Sequence, residues 1–188
     1  MKTRNLILKI SFIALTSALI FIATSFLAIP YGGGIGYFNL SDGIILFATI
    51  YLGPIVGLFS GIIGCSLGDL YAGFANCIPF TILAKSLESI AVYLIYGLLR
   101  KTKYAKYSSY FIAPLFMVIS YMPYYLIYDD GQGIYALISS AFDLIQAAAG
   151  GIIAITLSQL FYRVNLPSSY IKEQLFFKDK IKGVTNQN

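Results

Sequence analysis

Three charged side chains interrupt stretches that are otherwise apolar enough to lie in lipid: Lys85, Glu88 and Asp143. A charge in the hydrocarbon region costs several kcal/mol unless it faces an internal cavity or a partner, so each is a candidate for function. Lys85 and Glu88 are three residues apart and share one face of a helix; Asp143 and Gln146 repeat that spacing further along the chain. Two such polar faces, meeting inside a bundle, would offer carboxylate acceptors and an ammonium donor to a ligand, with charge-assisted bonds strengthened by the dry surroundings. The same residues could instead form an ion-pair network that pins the two helices together. Tyrosines crowd nearby, with Tyr121, Tyr124, Tyr125 and Tyr128 at one helix end. They suit an interfacial aromatic belt or a wall for a planar ligand, and the two roles are compatible.

The elements that must hold these groups are membrane helices. The 188 residues are 58% hydrophobic and 11% charged, with a mean hydropathy of +0.77, which makes lipid the natural solvent. At about 20 residues per span the length accommodates six helices and no separate soluble domain. The fold class expected is an all-α integral membrane protein with six transmembrane helices and both termini cytoplasmic. The spans are predicted at residues 10–29, 42–52, 54–70, 79–99, 109–127 and 135–162. Residues 1–165 form the membrane domain and 166–188 a cytoplasmic tail.

Sidedness follows from the bases. Arg100, Lys101, Lys103 and Lys106 cluster between helices 4 and 5, further bases follow helix 6, and Lys2, Arg4 and Lys9 precede helix 1. These mark the cytoplasmic side. Asp69, Asp129 and Asp130 are assigned to two outer loops that lack Lys and Arg. The second helix is short and needs tilt or shelter from lipid. It ends at Gly53-Pro54, a tight turn into helix 3. Counted from the outer helix ends, Lys85 lies about 9 Å deep and Asp143 about 12 Å deep, so a cavity between them opens outward.

Absences narrow the chemistry. The chain has no histidine and no tryptophan, and Cys65 and Cys77 fall in no metal or redox spacing. No cofactor or metal site is expected, and bases placed beside the spans speak for a lipid surface and against nucleic acid. No GxxxxGK loop is present, so transport driven by ATP would need another subunit to hydrolyse it. Helix 3 carries Gly57, Gly61, Gly64 and Gly68 on one stripe, which suits internal packing. Helix 1 carries the small pair Ala14 and Ala18 in ALTSA, for which internal packing is also the default.

Four blocks together carry a family resemblance: ALTSA, FNLSDG at residues 38–43, YLGPIVGLFSGIIGCSLGDL from Tyr51, and PFTILAKSLES from Pro79. Over about residues 8–165 the chain resembles the S components of energy-coupling factor (ECF) vitamin transporters. The resemblance implies a six-helix subunit of the cell membrane that binds a vitamin or precursor from outside. It implies docking on a transmembrane T component driven by two ATPases, through the Ala14 and Ala18 surface. It further places Asn39, Lys85, Glu88, Asp143 and Gln146 in or near the ligand pocket, with Tyr121 and Tyr125 as ring-stacking walls.

Departures from family patterns bear on the ligand. Thiamine-binding members typically use tryptophan and histidine, which are absent here. Riboflavin-binding members place an Asn and a Lys three apart on helix 6, where this chain has Asp143 and Gln146. The pattern on helices 4 and 6 looks more like members assigned to hydroxymethylpyrimidine or to pyridoxine (vitamin B6), with riboflavin as the alternative. Two other readings stay open: a proton-coupled carrier titrating Asp143 or Glu88, and an intramembrane enzyme using Lys85 and Glu88, the latter without a nucleophile motif beside them.

Overall fold

A computed structural model describes residues 2–31, 36–128 and 133–161. Six α-helices account for nearly all of them: α1 (Lys2–Phe26), α2 (Ser41–Tyr51), α3 (Pro54–Tyr71), α4 (Ile78–Leu99), α5 (Ala105–Tyr128) and α6 (Ile134–Leu160). In lipid every backbone polar group needs an internal partner, which a helix supplies to itself. The all-α expectation is met with one addition. The segment after α1, expected as a plain loop, contains two short antiparallel strands, β1 (Ile29–Tyr31) and β2 (Gly36–Phe38).

Five helices, α1 and α3 to α6, are long and apolar enough to cross a membrane; α2 is not. Its 11 residues reach about 16 Å at 1.5 Å per residue, half a hydrocarbon core. Eight of those residues are buried, because α1, α3, α4 and α6 all pack against α2. The second of the six expected spans is thus a short helix that finds shelter among its neighbours. Helix 1 starts earlier than its apolar run suggested, at Lys2, and ends at Phe26. The predicted end of helix 6 at Tyr162, the tail 166–188, and Asp129 and Asp130 lie outside the described residues.

The distribution of burial is inverted relative to a water-soluble domain. Lys85 is 1% exposed while Leu137 is 74% exposed. Charges sit inside and large apolar side chains outside, as expected where the outer solvent is lipid. Apolar clusters stitch the interior together: Leu46, Val92, Tyr110 and Ala154 join α2, α4, α5 and α6, while Ile20, Ile45 and Cys65 join α1, α2 and α3.

Two local features set the geometry of the first three helices. Gly53 has φ 111°, which a side chain would resist, and Pro54 opens α3 at a position where its missing N–H costs nothing, so the chain reverses within two residues. The glycine stripe of α3 then lets α1 come close: a Cβ at Gly64 would stand 2.8 Å from the Ser17 carbonyl oxygen and 2.7 Å from Ile20 Cβ. The stripe is internal packing, as its spacing suggested. Ala14 and Ala18 are exposed, on a part of α1 away from the buried Ser17, Ile20 and Thr24, so internal packing does not account for that pair.

Candidate functional site

At the end of the bundle opposite the basic loop, β2 and helices α3 to α6 surround a cavity of about 50 Å³ that is partly open at the surface. Six residues expected at the site line it: Asn39, Lys85, Tyr121, Tyr125, Asp143 and Gln146. Glu88, expected with them, does not. It stands one turn further down α4, fully buried, with Oε2 3.3 Å from Lys85 Nζ.

The ion pairing differs from the network the spacing suggested. Lys85 donates to Asp42 of α2 as well as to Glu88, and the remaining carboxylate oxygen of Asp42 accepts from Gln146 Nε2 at 2.8 Å. Lys85, Asp42 and Glu88 are each 0–1% exposed, so this network ties α4 to α2 and, through Gln146, to α6. Asp143 is outside it. Among the described residues its one hydrogen-bond donor is the Tyr125 hydroxyl, at 2.8 Å.

Asp42 was overlooked because it reads as the polar first turn of a helix at the membrane edge. The packing of α2 into the bundle instead carries that first turn to the centre. The available signal was Lys85, a base within a predicted span, whose buried ammonium needs carboxylate partners that a neighbouring helix can supply as well as its own. Asp69 needs a correction of a similar kind. It was assigned to an outer loop, yet it sits in the last turn of α3, 3% exposed, and lines the cavity. Thr81 of α4 donates to its Oδ2 at 2.5 Å, Tyr37 of β2 donates to its Oδ1, and the Tyr121 hydroxyl donates to Thr81 Oγ1 at 2.9 Å. One hydrogen-bonded chain thus runs from β2 through α3 and α4 to α5. Burial, and next to it the charge of Asp69, push the Tyr37 phenol well above its usual range, so it remains an O–H donor.

Asn39 shapes the wall on which α2 begins. Its Oδ1 accepts from Ser41 N at 3.0 Å and from Ser41 Oγ at 2.5 Å, an Asx-type turn into α2, while its backbone N–H donates to Gln146 Oε1 at 3.0 Å. Aromatic rings form the outer walls. Tyr121 and Tyr125 are stacked with centroids 6.1 Å apart, Tyr124 meets Tyr125 edge-on at 5.7 Å, and Tyr37 packs against Phe74 at 5.4 Å. Cys65 and Cys77 also line the space. Apolar walls with a few convergent polar groups are the usual make-up of a small-molecule site.

Comparison with known proteins agrees with this architecture. Residues 4–163 match the family model described as "ECF-type riboflavin transporter, S component". An uncharacterized protein in the gap 3′ region of Pyrococcus woesei is 29% identical over 136 residues, covering 70% of this chain and 86% of that protein. A cavity walled by tyrosines inside a bundle of membrane helices, and a family match spanning nearly all of that bundle, lead to one assignment: the chain belongs to the S components of ECF-type transporters, in the riboflavin transporter S-component family, and is a multi-pass membrane subunit for vitamin uptake and not an enzyme.

Proposed function

We propose that the cavity binds a small, donor-rich heteroaromatic vitamin or precursor of the hydroxymethylpyrimidine or pyridoxine type. The observation that carries this reading is the excess of acceptors. Four buried carboxyl groups, those of Asp42, Asp69, Glu88 and Asp143, accompany one buried ammonium, that of Lys85, which pairs with Asp42 and Glu88, while Asp69 and Asp143 line the cavity. Such a lining favours a ligand that brings positive charge or several N–H and O–H donors. An exocyclic amine beside a ring nitrogen, or a protonated pyridine with hydroxyls, meets that demand. Asp143 accepts from the ligand's ring edge, Tyr121 and Tyr125 cover its face, and Asn39 and Gln146 bond its substituents. Lys85 meets a hydroxyl at the cavity floor, with Glu88 holding the ammonium from behind.

Riboflavin is the second reading, favoured by the description of the matching family. Its flavin ring also suits a tyrosine wall, but it brings no positive charge to the Asp69 and Asp143 carboxyl groups that line the cavity. In either case the subunit captures its ligand from outside the cell membrane. Both termini and the 100–106 loop face the cytoplasm, and the exposed Ala14 and Ala18 receive the T component, which two ATPases drive.

The test is to purify the full chain in detergent, denature it, and identify released small molecules by mass spectrometry. Titration with hydroxymethylpyrimidine, pyridoxine and riboflavin follows. Tight binding of riboflavin alone overturns the first reading in favour of the second. Uptake by the chain alone in liposomes, driven by a pH gradient, overturns dependence on the T component and ATPases.

A further inference from the structure

A second cleft lies at the other end of the molecule, between the start of α5 and the last turns of α6. It holds about 360 Å³, opens at the surface, and is lined by Lys106, Tyr107, Ile155, Ser158 and Gln159. We propose that this cleft binds the phosphate headgroup of an anionic phospholipid, with an acyl chain running along the α5–α6 groove towards the membrane centre.

The charge argument is specific to this end. The Lys106 ammonium donates to the Tyr51 hydroxyl at 2.6 Å and lies 4.9 Å over that ring, but has no carboxylate partner among the described residues. Arg100, Lys101 and Lys103 precede it, and the sequence has no acidic residue between Glu88 and Asp129 or between Asp143 and Glu173. Among the described residues no carboxylate compensates the positive charge here, and uncompensated bases beside membrane helices attract anionic lipid headgroups.

The ammonium is also held in place. Tyr51 donates in turn to the Ser158 carbonyl at 3.3 Å, and Ser158, 4% exposed, pairs with the Tyr110 hydroxyl at 2.8 Å. A preorganised cation loses little freedom on binding. One to two turns deeper the groove becomes apolar. Phe111 of α5 lies directly on α6, where a Cβ at Gly151 would come within 2.8 Å of its ring, and Phe111 and the adjacent Ile152 are both exposed. Polar floor and apolar continuation together match a headgroup with its chain, and a free phosphate would leave the apolar part unused.

The test uses the full chain, delipidated and titrated by native mass spectrometry with phosphatidylglycerol, phosphatidylcholine of the same acyl chains, and inorganic phosphate. Phosphatidylglycerol is expected to be retained at least about tenfold better than phosphatidylcholine, and Lys106→Gln to remove most of that preference. In the unmutated chain, a photoactivatable phosphatidylglycerol is expected to label peptides containing Tyr107 and Gln159, a readout that stands even where Lys106→Gln does not fold. Equal retention of the two lipids, an unchanged preference in folded Lys106→Gln, or labelling elsewhere overturns the proposal. Binding of inorganic phosphate without a preference between the lipids overturns it as well.

Discussion

Asp42 and Lys85 lie 43 positions apart in the chain and meet as a buried ion pair, with Glu88 on the far side of the same ammonium. The pair joins the shortest α-helix, α2, to α4. It fixes α2 in the bundle and brings Asn39, at the start of α2, against Gln146 of α6. The ligand cavity is built on that junction.

Removing Lys85 alone leaves two carboxylates in a dry interior. Lys85→Met is expected to lower stability by about 3–5 kcal/mol, seen as an earlier thermal unfolding transition in detergent. The triple variant Asp42→Asn, Lys85→Met, Glu88→Gln is expected to recover much of that loss, since no uncompensated charge remains. A triple variant as unstable as the single one would show that shape, and not charge balance, governs the site.

Asp143 stands apart from the ion pairs, with Tyr125 as its one described donor. Asp143→Asn is expected to weaken vitamin binding by about 30-fold to several thousand-fold, the range for losing one partner of a buried charged hydrogen bond. Asp129→Asn and Asp130→Asn serve as comparison variants with little effect. Equal losses at all three positions, measured by titration of the folded proteins, would remove Asp143 from the ligand site.

Ala14 and Ala18 are exposed on α1. Changing either to Trp is expected to abolish co-purification with the T component and uptake by the complete transporter, while the isolated chain binds its vitamin with unchanged affinity. Loss of binding along with uptake would instead place the pair in the fold.

Close approach at Gly64 leaves no room for a side chain, whereas nothing lies within 4 Å of a Cβ at Gly97. Gly64→Ala is expected to destabilise by about 1–3 kcal/mol, the cost of overpacking, and Gly97→Ala to be neutral or slightly stabilising. Thermal unfolding of the two variants side by side checks the assignment of the α1–α3 contact.

Sidedness is tested with single cysteines in a background where Cys65 and Cys77 are replaced. A cysteine at Lys103 is expected to react only with reagents on the cytoplasmic side, and one at Asp129 only from outside. Reaction of position 103 from outside would place the vitamin cavity on the wrong face of the membrane.

Length, hydropathy and the rarity of charge in the spans were enough to read a helical membrane protein and to single out Lys85, Asp143 and Gln146, because lipid tolerates a polar group only with a reason. Helix positions were likewise legible, as apolar runs broken by Gly-Pro and by basic clusters. What one-dimensional pattern could not decide was which polar groups are inside. Asp42 and Asp69 occur at helix ends, where a carboxylate is usually solvated, and only the packing of α2 between α3 and α6 and the tyrosine of β2 bring them under cover. Spacing along one helix specifies a face, and so it paired Lys85 with Glu88. The partner that completes the pair comes from another helix, at a distance set by the glycines that let the bundle close.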